Sequence, residues 1–150
     1  MQILEPLSPT GAVEATIQEL ENELGRRLPE DYRRFLSEIN GGRPNRARFT
    51  ILSPEGATDS AVAWFLTLDP QESRYTISRY RTRYDDRVPA GVIPIGCDSF
   101  GNLILLDIGA REFGYIYFWD HERESMDDPY WDNIYMVSRS FDSFSQSLRD

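Results

Sequence analysis

The densest grouping of reactive side chains is Asp120-His121-Glu122, where the single histidine of the chain sits between two carboxylates. Imidazole and carboxylate can ligate a metal or move a proton near neutral pH. On an extended segment, alternation would set Asp120 and Glu122 on one face and His121 on the other. No second histidine and no zinc-type spacing completes a ligand set, so a polar strand end is the expectation and no metal or other cofactor is assigned. With 25 Asp plus Glu, some pair will fall within the ~5–9 Å used in glycoside hydrolysis by chance alone. Cys97 lies between Gly96 and Asp98, a position compatible with exposure. Asp98 would raise its thiol pKa, whereas a reactive thiolate needs positive surroundings. No serine occupies a Gly-Xaa-Ser-Xaa-Gly elbow, and the complete absence of lysine excludes a phosphate-binding P-loop. No catalytic residue is assigned, and the chain is expected not to be an enzyme.

Residues 121–133, HERESMDDPYWDN, combine five acids with Tyr130 and Trp131. The spacing of a calcium loop is missing. As a solvated acidic loop whose aromatics lie on the core, the stretch needs no special function, and that reading takes the larger share; aromatic anchors ringed by charge are also the composition of a protein-binding hot spot. Acids at this density would speed the encounter with a basic partner and lose force with salt.

The elements that must position these groups are legible in outline. Val13, Ile17, Leu20 and Leu24 form one helical stripe, with Ser8 before Pro9 as its N-cap and Gly25 as its end. Tyr32, Phe35, Leu36 and Ile39 form a second stripe, opened by Pro29, Glu30 and Asp31 and ended by Asn40-Gly41-Gly42. Residues 61–68 make an apolar run of strand length. Residues 73–84 fit a helix, with Ile77, Tyr80 and Tyr84 in line, or an antiparallel strand. From residue 92 the pattern is strands, at 92–97, 103–108, 115–119 and 134–137. Asp98-Ser99-Phe100-Gly101 makes a hairpin loop between the first two, and Pro94 puts the first at an edge or at a bulge. Ser140 caps a last helix bearing Phe141, Phe144 and Leu148. The class is α+β, with N-terminal helices and a C-terminal helix packed on a mainly antiparallel sheet.

At 150 residues with 40% hydrophobic and 13% aromatic content, one domain over 1–150 with a real core is expected. No secretory signal and no apolar run of the ~20 residues of a membrane span is visible. The lone cysteine fits a reducing, cytoplasmic compartment. A net charge of -9 argues against direct nucleic-acid binding, which rests on neutralising phosphates. The charge is uneven: residues 1–42 balance at -4, 43–97 at +2 and 98–150 at -7.

The run IQELENELGRRLPEDYRRFLSEINGG at 17–42 resembles the opening of the SUKH superfamily, with its Glu-Xaa-Xaa-Leu-Gly, Leu-Pro-Xaa-Asp-Tyr-Xaa-Xaa-Phe-Leu and Asn-Gly-Gly segments. VIPIGCDSFGNLILLD at 92–107 is similar to its Ile-Pro-Ile-Gly-Xaa-Asp-Xaa-Xaa-Gly-Asn segment, GYIYFWDHE at 114–122 to its next strand, and SFDSFSQSL at 140–148 to its closing helix. Residues 43–68 and the loop after His121 are not matched. The resemblance implies an SMI/KNR-type fold. In bacteria it implies an immunity protein that binds a cognate polymorphic or contact-dependent toxin, often a basic nuclease, and blocks its active site. The alternative it implies is a cytoplasmic scaffold or regulatory module of the cell-wall-regulator type, with no toxin. The matched residues Leu28, Pro29, Tyr32, Phe35, Asn40, Gly41, Asp98, Gly101 and Asn102 are explained by packing and turns. Partner contacts are therefore expected in the unmatched stretches. Asp120, Glu122, Glu124, Asp127, Asp128 and Asp132 would supply charge complementarity to the partner, with Tyr130, Trp131 and Trp64 as anchors.

Overall fold

The computed structural model describes residues 1–124 and 131–150. Strand β1 (Ile3–Pro6) leads into α1 (Glu14–Leu24) and α2 (Glu30–Glu38). Strands β2 (Gly42–Pro44), β3 (Arg48–Ser53), β4 (Gly56–Ala61) and β5 (Trp64–Phe65) follow, then α3 (Ile77–Tyr84). The C-terminal half runs β6 (Val92–Cys97), β7 (Leu103–Asp107), β8 (Ile116–Trp119), a one-turn 3-10 helix (His121–Arg123), β9 (Ile134–Ser138) and α4 (Phe141–Ser147). Seven strands form one antiparallel sheet in the order β1-β2-β5-β6-β7-β8-β9, and β3 pairs with β4 as a separate hairpin. The fold is α+β, as the sequence pattern predicts.

Gly25 closes α1 at φ 69°, and its neighbour Arg26 returns an amide to the Glu21 carbonyl. Asn40, Gly41 and Gly42 all take positive φ after α2. At Gly41 a Cβ would stand 2.7 Å from the Leu66 carbonyl oxygen, so backbone contact as well as φ demands glycine there. Ser8 is not the cap of α1, which begins after Val13. Its hydroxyl lies 2.7 Å from the Thr10 carbonyl and 2.8 Å from Asp69, where it ties the N-terminal segment to the loop after β5. Val13, outside the helix proper, is exposed and does not join the stripe.

Three expectations about the strands are refined. Residues 61–68 are not one strand: Ala61 ends β4, and only Trp64 and Phe65 pair in the large sheet, opposite Cys97 and Gly96. Residues 77–84 are helical, because Thr76 caps the Arg79 amide and Ile77 and Tyr84 are buried. Pro94 sits in an interior strand at a register shift between Pro94 and Gly96, so the missing amide is accommodated by a bulge.

Strands β6, β7 and β8 are buried along their whole lengths, the state that unbroken apolar runs select. One face meets α1, α2, α4 and the β3–β4 hairpin, through Ile17, Tyr32, Phe35, Phe49, Phe65, Phe141 and Phe144 among others. Those rings meet mostly edge to face, for example Phe35 and Phe65 at 5.4 Å. Helices α1 and α2 are also joined by charge: Glu21 accepts from the Leu28 amide at 2.7 Å and from Arg33, whose guanidinium reaches Glu14 as well.

Candidate functional site

The opposite face carries Trp64 and, at its β8–β9 end, the described members of the predicted acidic stretch. Cross-strand pairing sets Trp64, Cys97, Leu103, Trp119 and Ile134 in one row across five strands. At about 4.8 Å per strand the row spans roughly 19 Å. Helix α3 covers its middle through Tyr84, with Val88 just beyond. Arg87 completes the cover: its guanidinium carbon lies 5.3 Å from the centre of the Trp119 ring and 4.9 Å from that of Tyr84. Glu124 grips the same guanidinium through bonds of 2.8 and 2.9 Å. That pair raises the pKa of Arg87 and fixes its charge over the rings. Glu124 is therefore spent inside the fold and is a poor source of partner-directed charge.

The β8–β9 end of the row holds Asp120, Glu122 and Asp132. Asp120, His121 and Glu122 do not alternate along a strand; they enter the 3-10 turn, where the Asp120 side chain caps the Glu122 amide at 3.0 Å. His121 Nδ1 lies 2.7 Å from Asn102 Oδ1, so the ring is held against the β6–β7 turn. Arg123 pairs with Glu55 at the tip of the β3–β4 hairpin, which keeps the Glu55 carboxyl below its usual range. Asn133 clamps the segment by donating to the Asp120 carbonyl at 3.0 Å. Trp131 packs edge-on against Tyr117 at 5.1 Å, under Arg111 at 4.0 Å. Glu122 and Asp132 are exposed. Asp127, Asp128 and Tyr130 lie outside the described residues. Among the described residues no three of His, Cys, Asp and Glu converge as a metal would require.

Trp64 is at the far end of the row. It stacks on Tyr75 at 4.8 Å and 18° and lines a cleft of about 430 Å³ with Tyr80, Arg83, Cys97 and Asn102. Cys97 is buried, not exposed; burial first and Asp98 second push its thiol pKa up. The Tyr80 hydroxyl rests 3.6 Å from its sulfur. Asp98 makes the turn as its sequence suggests, accepting from the Phe100 and Asn102 amides at 2.8 and 2.9 Å. Carboxylates do gather in a separate cleft of about 410 Å³ beside α1, where Glu19, Glu23, Asp69 and Glu72 meet. Glu23 is paired with Arg81, Asp69 with Ser8 and the Gln71 amide, and Glu72 with the Ser73 and Arg74 amides.

Sequence reasoning did not single out Arg87, Arg111 or Tyr75, and placed Tyr80 only in a helical stripe. A sign existed for Arg87, which follows Tyr84 at helical spacing; Arg111 and Trp131 are joined only by the fold. No helix among the described residues is long and apolar enough to cross a membrane.

Comparison with known proteins bears on all of these features. The chain is 28% identical to the SPbeta prophage-derived uncharacterized protein YokK of Bacillus subtilis (strain 168), over 89% of this chain and 73% of that protein. Residues 14–144 match the SUKH_6 family, described as SMI1-KNR4 cell-wall. That span runs from the start of α1 into α4 and takes in both ends of the aromatic row, so the chain belongs to the SMI1-KNR4 family.

Proposed function

We propose that this chain is an immunity protein: it binds a cognate polymorphic or contact-dependent toxin in the cytoplasm of the producing cell and blocks the toxin's active site, without catalysis of its own. The observation that carries this reading is the family match over residues 14–144, since bacterial relatives of this kind commonly serve as immunity proteins. The similar Bacillus protein is prophage-derived, and mobile elements are a natural setting for toxin and immunity genes. The contact surface in this reading is the β8–β9 end, where Glu122 and Asp132 are exposed near Trp131 and Asp120 is shared with Arg123, extended in sequence by Asp127, Asp128 and Tyr130. A toxin with a basic nucleic-acid groove would meet there the charge it is built to bind.

Co-expression with the toxic domain encoded beside this gene tests the reading. Rescue of growth is the expected result; growth arrest despite a folded, expressed chain rejects it. In a complex that does form, Asp127→Arg with Asp128→Arg should slow association and leave the fold intact. Unchanged association would remove that loop from the interface. The family's cell-wall description favours a second reading, a regulatory module with an endogenous protein partner. A gene neighbourhood without a toxin would select it.

A further inference from the structure

We propose that the cleft beside β5 and the arginine face of α3 form a second docking surface, one for an acidic protein segment that carries an apolar side chain. The cleft has aromatic walls in Trp64, Tyr75 and Tyr80. Arg83 lines it and also lines the adjoining groove on α3, shared with Arg79, Thr76 and Thr82. Arg27, Arg33, Arg34, Arg43, Arg46, Arg81, Arg87, Arg123 and Arg149 pair with carboxylates. Seven exposed arginines make no salt bridge among the described residues; Arg74, Arg79 and Arg83 fall within ten residues of one another, whereas Arg26, Arg48, Arg111 and Arg139 are scattered along the chain. Three cations of one sign beside an aromatic cleft suit an acidic ligand, and arginine adds bidentate carboxylate recognition.

The acid that lines the cleft does not oppose this charge freely. Asp98 is engaged by the Phe100 and Asn102 amides, by the Asn102 side chain and by Ser60. Those bonds stiffen the turn on which Phe100 stands 77% exposed, between Ser99 and Gly101 of the cleft lining. A rigid exposed aromatic beside an aromatic cleft has the character of an interface anchor. The occupant is an acidic segment of another protein, because Arg79 and Arg83, one helical turn apart, set positive charge beside the cleft. Trp64 stands at the opposite end of the row from Ile134, while the Gly101–Asn102 rim of the cleft touches His121 of the acidic turn; the proposal does not depend on the immunity reading.

The three tryptophans make the test direct. The ¹⁵N-labelled full chain is titrated with two short peptides of equal length, each with one central leucine, flanked by glutamates in one and by lysines in the other. The glutamate peptide should move the Trp64 indole resonance and leave those of Trp119 and Trp131 in place. Arg79→Glu with Arg83→Glu should weaken that binding at least about tenfold. If the double variant does not fold, Arg83→Gln replaces it and should give a smaller loss of the same sign. An unmoved Trp64 resonance, an equal response to the lysine peptide, or undiminished binding by the folded variants overturns the proposal. A Trp64 shift that grows with protein concentration without peptide overturns it in favour of a second copy. Toxin rescue is read separately, so either proposal can fail alone.

Discussion

Where α1, α2 and α4 cover the sheet, the contacts are rings and aliphatic chains around Phe35, Phe65, Phe141 and Phe144, with one ion network closing the edge between α1 and α2. On the opposite face, among the described residues, α3 is the helix that packs on the row. The groups that cover the row there are tyrosines, tryptophans and the stacked cations Arg87 and Arg111. The first face is closed by groups that gain little from outside contact. The second is closed by amphipathic groups, each with an apolar body and a polar tip, and such groups recur where a protein surface binds another. Under the two proposals above, the first face serves stability and the second recognition, and substitutions on each can break or sharpen that division.

Glu21→Gln should have the largest effect. It leaves Arg33 short of a buried partner and weakens the bond to the Leu28 amide, at a cost of about 3 kcal/mol. The urea midpoint would report it, with partner binding unchanged once the chain is folded. The same site sets a pH dependence. The hydrogen bond from Arg33 holds the Glu21 carboxyl below its usual value of 4.5. Its stabilisation is therefore complete above that value and is lost as pH falls through the lower folded-state pKa. The stability gap between wild type and Glu21→Gln should close in acid; a constant gap would sink the assignment.

Arg87→Ala should cost less, about 1–2 kcal/mol, through loss of the stacking on Trp119 and the Glu124 pair. Arg87→Lys should recover only part, because an ammonium cannot fork onto a carboxylate. Thermal unfolding, followed by near-ultraviolet circular dichroism of the buried tryptophan, measures both. Full recovery by lysine would mean that charge alone matters. The smallest effect is expected at Tyr32, whose hydroxyl is buried with no partner among the described residues and whose pKa burial pushes up. Tyr32→Phe should be neutral or stabilising by up to about 1 kcal/mol, since it removes a desolvated polar group. Marked destabilisation in urea would show that the hydroxyl has a partner after all.

Much of the fold was legible because its signals are local. The Gly25 and Asn40-Gly41-Gly42 stops, the Asp98 turn and the Ser140 cap each depend on residues a few positions apart. The weak readings were those where distant partners decide. Ser8 looked like a cap because its neighbour is proline, yet Asp69 takes its hydroxyl. Pro94 could mark an edge or a bulge until β5 was found beside β6. The β3–β4 hairpin escaped notice because β4 is almost entirely exposed and has no apolar alternation to announce it.

The site divides in the same way. By its own composition the sequence determined that acid is concentrated after residue 98 and arginine in the middle third, because charge is fixed by residue type. It also determined the family, because ordered turn and packing motifs survive as short patterns. Only the tertiary structure decided which charges are left to act outward. It removed Glu124 by pairing it with Arg87, buried Cys97, and carried Trp64 to the far end of the row from Trp131. The reason is that pairing and burial depend on neighbours across strands, and cross-strand register brings together residues far apart in the chain.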